Sequence, residues 1–121
     1  MPDTALFVGF GAPARAREPQ ALELFEQWVG FCSDLRERGE IESFEPVLLD
    51  AHGGDLAGFF LLRGDGERLD RLRRDADFRR LSARAQLVVE GFGVVGAHAG
   101  DALTEQLAIY RSQVEEQLSS G

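Results

Sequence analysis

The chain has 121 residues, 44 % hydrophobic and 28 % charged, which is too apolar for disorder and suits one domain spanning residues 1–121. Thirteen basic against 21 acidic residues give a formal charge of −8, a surface that repels phosphate backbones and anionic lipid, so neither nucleic acid nor membrane is expected as a partner. The N-terminus lacks the basic region of a signal peptide and no run nears the ~20 apolar residues of a bilayer span, so cytoplasm is the expected compartment; one cysteine and two histidines exclude an internal disulfide and speak against a metal site.

Thr4–Gly11 predicts a first strand, with Leu6, Val8 and Phe10 on one face and Ala5 and Phe7 on the other. A loop carrying Pro13 and Pro19 leads into a helix over about Pro19–Arg38, stopped by Gly39. Its apolar arc, with Leu22, Phe25 and Val29 beside Leu24, Trp28 and Phe31, is wider than one sheet contact needs, so a second element is expected to cover it. Cys32 within that arc reads as inert core.

Ile41–Asp50 predicts an edge strand, because Pro46 cannot donate to a ladder. Ala51–Gly54 reads as a hairpin turn into Asp55–Gly64, the most apolar run of the chain and therefore a central strand. A helix over Glu67–Arg74 follows, then a short one capped by Asp75 or Asp77 that buries Phe78 and Leu81. Eight of the thirteen arginines fall between Arg63 and Arg84, interleaved with acids in pairs such as Asp70–Arg74; they read as a solvated helix surface. Gln86–Val95 is the expected fourth strand, weakened by Gly91 and Gly93. Asp101 caps a last helix, about Ala102–Leu118, with Leu103, Leu107, Tyr110, Val114 and Leu118 in one stripe.

This order is β-α-β-β-α-β plus a helix: an α+β, ferredoxin-like chain with a four-stranded antiparallel sheet, its first and third strands central. Element order and the segment DFRRLSARAQLVVEGFGVV resemble the dimeric α/β-barrel superfamily, which includes antibiotic monooxygenase-like, YCII-like and stress-responsive barrel proteins. The resemblance implies a homodimer whose sheets meet in a barrel. Phenylalanines directed to both sheet faces agree, since one copy of the chain leaves the second face wet.

Candidate chemistry is sparse. Gly9–Ala14 fits G-x-G-x-x-A, but a proline-bearing loop separates it from the helix, and Gly91–Gly96 enters no helix; both read as turn glycines and no cofactor is implied. His52 precedes Asp55 by three residues and His98 precedes Asp101 by three, spacings open to an acid–base pair and equally natural for turns and caps. Glu90, alternating with Val88 and Phe92, is expected on an apolar strand face, as an ion pair ahead of a catalytic carboxylate. Three functions remain open. One is small-molecule binding in a pocket lined by Phe7, Phe59, Phe60 and Phe92; another is a cofactor-independent monooxygenase- or isomerase-like enzyme; the third is an interaction module without a ligand.

Overall fold

The computed structural model describes residues 4–120. Its elements run β1 (Thr4–Phe10), α1 (Glu18–Glu37), β2 (Ser43–Leu48), β3 (Gly58–Gly64), α2 (Gly66–Leu72), α3 (Ala76–Val88), β4 (Gly93–His98) and α4 (Gly100–Ser120). The strands form one antiparallel sheet in the order β2-β3-β1-β4. The two strands apolar on both faces hold the centre, and Pro46 lies on the β2 edge, where a missing N–H costs least.

Register assigns the faces, because residues directly opposite one another project to the same side. Leu6 pairs with Leu62, and Val8 with Phe60 and Val94, so these form the inner face toward the helices. Phe7 pairs with Leu61 and Val95, and Val47 with Phe59, so these form an outer face with no helix over it. Phe59 and Phe60 therefore serve different layers.

On α1, Leu24, Trp28, Cys32 and Leu35 recur at helical spacing and all four are buried. The helix ends in a glycine motif: Gly39, at φ +76°, donates to the Arg36 carbonyl, and Glu40 donates to that of Leu35. The Trp28–Phe31 side of the apolar arc is covered by α3, whose Phe78 ring stands edge-on to Trp28 at 5.5 Å and 6.4 Å from Phe31. Asp75 starts α3 by accepting from the backbone N–H groups of Asp77 and Phe78.

The fourth strand differs from expectation. Gln86–Val88 form the last turn of α3, and β4 begins only at Gly93. Phe78, Leu81, Ala85 and Val88 follow one another at spacings of three and four and pack into the core, so burial of a helical stripe overrides the strand preference of Leu-Val-Val. Glu90 consequently sits exposed in the α3–β4 connection, not on a strand face. His98 closes β4 rather than standing in a loop, and Asp101 lies in the first turn of α4, which starts one residue earlier. The link between β2 and β3 spans 49–57, longer than the four-residue turn expected.

The arginine-rich stretch is partly structural. Arg68 donates to the Gly39 carbonyl, Arg73 to that of Val94, and Arg84 to the Gln27 side chain at 2.5 Å. Asp77–Arg80 pairs within α3, whereas Asp70–Arg74 does not form. The Arg73 bond covers part of the free edge of β4, as Pro46 does for β2, and both devices discourage edge-to-edge sheet pairing.

Candidate functional site

A cavity of about 380 Å³ opens between the inner sheet face and the first half of α1, at the end where β1 finishes and β3 begins. The proline-bearing loop between β1 and α1 forms one rim. Val8, Phe10 and Gly11 supply the floor, with Phe60 beside them and Ala57 at the entry to β3. Ala21, Leu24, Phe25 and Trp28 on α1 form the roof, and Ala85, Val89 and Phe92 close the far side.

The walls owe their shape to ring packing. Phe25 lies 5.1 Å from Phe60, and Trp28 lies 6.2 Å from Phe60 and 6.0 Å from Phe92, centroid to centroid. Gly11 matters here through contact alone: its N–H donates to the Glu90 carbonyl at 2.7 Å, and a Cβ would meet that oxygen at 2.6 Å. This close approach draws the α3–β4 connection, and with it Phe92, over the end of the sheet. Exposed Leu22 and Leu48 border the opening. Among the described residues Glu18 is the one ionisable residue on the lining and is itself exposed.

Of the predicted ligand-facing phenylalanines, Phe60 and Phe92 line this cavity. Phe7 and Phe59 are on the outer face, 5.0 Å apart, and belong to a different surface. The sequence-level signal for the cavity was the excess width of the α1 arc: Leu22 and Phe25 lie at its margin and wall the space, Phe25 with its ring against Phe60. Glu18 carried no such signal, since its place on the rim depends on how α1 enters.

The candidate acid–base residues are not brought together. His52 lies in the 49–57 link at the cavity end of the sheet, whereas His98 pairs with Thr4 at the opposite end. Both ring nitrogens of His52 are used by its own turn, Nε2 donating to the Leu56 carbonyl at 2.8 Å and Nδ1 accepting from the Gly54 N–H at 3.2 Å. Neither histidine, nor Glu90, nor Asp101 lines the cavity. Cys32 is wholly buried, and desolvation pushes its thiol up to about 12. Among the described residues no three His, Cys, Asp or Glu side chains gather as a metal site, and no helix is long and apolar enough to cross a membrane.

Strand order β2-β3-β1-β4, with two crossovers sharing one face of an antiparallel sheet, is the ferredoxin-like fold. Among solved structures it is similar to a dimeric protein of unknown function and ferredoxin-like fold from Bacteroides fragilis NCTC 9343, with a TM-score of 0.56 and 9 % identity over 79 % of this chain and 96 % of that one. It is also similar to a dimeric ferredoxin-like protein of unknown function from Jannaschia sp. CCS1, with a TM-score of 0.59 and 12 % identity over 80 % of this chain and 98 % of that one. No protein-family model and no curated protein matches the sequence.

Proposed function

We propose that this chain is a homodimeric small-molecule-binding protein that holds its ligand between the sheet and α1. The observation that carries the binding is the cavity itself. At about 380 Å³ it falls within the ~300–1,000 Å³ of ordinary ligand sites. Its apolar walls favour a ligand that leaves water. Catalysis ranks behind binding, because a reaction without a cofactor needs a positioned acid or base and, among the described residues, Glu18 is the only ionisable group on the lining.

The dimer rests on surface area. The protomer exposes 8157 Å², against about 6,400 Å² for a compact monomer of 13.3 kDa, an excess of about 1,700 Å². That exceeds the ~800 Å² per partner of a standard interface. Much of the excess is apolar: Leu103, Leu107, Tyr110, Val114 and Leu118 on α4 are 42–76 % exposed, and Val95 on the outer sheet face is 55 % exposed. With both edge strands obstructed, a second copy is best accommodated face to face, as in the dimeric α/β barrels that the sequence resembles. Phe7 and Phe59 then pack between subunits rather than against a ligand.

Trp28 is the chain's one tryptophan and lines the cavity, so its emission reports occupancy. In a screen of small apolar compounds, ligands are expected to change Trp28 emission and raise Tm in the native chain. Ala21→Phe, which fills the roof, should abolish both responses. A screen that yields no compound behaving this way would remove the binding reading.

A further inference from the structure

The ring-lined cavity and its lone rim carboxylate say what class of molecule fits, provided the cavity is a binding site as proposed above. We infer that the site selects a hydrophobic ring-bearing ligand without negative charge and rejects anions, with any polar substituent a hydrogen-bond donor directed toward Glu18.

Three independent features lead there. Phe10, Phe25, Trp28, Phe60 and Phe92 present ring surface to the space and, among the described residues, Glu18 alone presents charge, so an anionic group placed inside would lose water without gaining a partner. Glu18 occupies the first turn of α1, where a carboxylate offsets the partial positive charge of the helix end, and the two exposed arginines of the adjoining loop, Arg15 and Arg17, are not part of the lining. Finally, the whole molecule carries a formal charge of −8, which lowers the local concentration of anionic ligands before contact. Nucleotides, sugar phosphates and carboxylic acids are disfavoured by all three. A neutral ring system carrying an amine or hydroxyl is disfavoured by none, since Glu18 at the rim accepts the donor while the rings cover the rest.

A matched pair of dyes isolates the charge. N-phenyl-1-naphthylamine and 8-anilino-1-naphthalenesulfonate share a ring system, and the second adds a sulfonate. Titrations are read by dye fluorescence and by energy transfer from Trp28, and the part of the signal that a cavity-filling variant removes is the part that belongs to the cavity. The neutral dye is expected to bind about tenfold more tightly than the sulfonate, or better. Glu18→Arg should bring the two affinities closer by strengthening the sulfonate, while Glu18→Gln should change the neutral dye by about twofold or less. Ala21→Phe should abolish transfer from Trp28, with Ala57→Leu as a second filling variant if the first does not fold by circular dichroism. If the sulfonate binds as tightly as the neutral dye and the filling variants abolish it, the ligand class is wrong and the pocket stands. If the filling variants leave transfer unchanged, or neither dye binds, the pocket and the inference fall together.

Discussion

Cys32 shows how one buried position couples the core to pH. Its side chain is fully enclosed, and loss of water pushes the thiol from an ordinary 9.0 up to about 12. Folding thus favours the neutral form. The stability this contributes is complete below about pH 9, where the unfolded thiol is also neutral, and is lost as pH rises toward 12. Cys32→Ala lacks that loss, so urea midpoints of the two proteins between pH 8 and 10.5 should converge. The expected convergence is about 1.4 kcal/mol for each pH unit above 9. Tyr110 and the arginines are common to both chains and cancel in the difference. A constant gap across that range would mean that the thiol is accessible to water.

The connections on the cavity rim depend on close backbone contact more than on side-chain burial. Gly11 lies where β1 leaves the sheet, and an added Cβ would stand 2.6 Å from the Glu90 carbonyl oxygen and 2.9 Å from that of Asp55. Both obstacles are main chain, so relief requires moving the α3–β4 connection and the entry to β3. Gly11→Ala is expected to cost about 1–3 kcal/mol by chemical denaturation, as other overpacked positions do. Because Phe92 and Ala57 ride on the displaced segments, apolar ligands should also bind more weakly than the stability loss alone explains. A variant as stable as the native chain would show that the contact is loose.

Assembly is the property of the whole molecule that its surface most directly addresses. α4 touches its own subunit chiefly through β4, and its apolar stripe is open to water. A helix of this kind standing alone has no hydrophobic contribution to hold it in place. Leu107→Glu with Val114→Glu should therefore halve the mass measured by light scattering to about 13.3 kDa while the sheet and α1–α3 stay folded, any loss of far-ultraviolet helix signal being confined to α4, since both positions are already 53 % and 42 % exposed in the protomer. An undiminished mass would place the interface elsewhere, with the outer face around Phe7, Phe59 and Val95 as the next surface to charge.

Sheet order was readable from local chemistry. Strands apolar on both faces must be central, and Pro46 needs a free edge; with the hairpin that joins β2 to β3, those constraints order β1, β2 and β3. Helix ends were equally legible where one residue type meets a steric demand, as Gly39 and Asp75 do. The path of 86–92 was not, because Leu-Val-Val suits a strand and a helix alike. Its burial against α1 decided between them, and Glu90 moved from a strand face to an exposed link as a consequence. The cavity was hidden for the same reason. Phe7, Phe59, Phe60 and Phe92 look alike along the chain, but cross-strand register sends Phe7 and Phe59 to one side of the sheet and Phe60 to the other, while Phe92 reaches the cavity from the α3–β4 connection. Whether a wide apolar arc on α1 meets a neighbour or encloses space depends on the angle at which the helix leaves its loop, a distance between elements that no periodicity encodes.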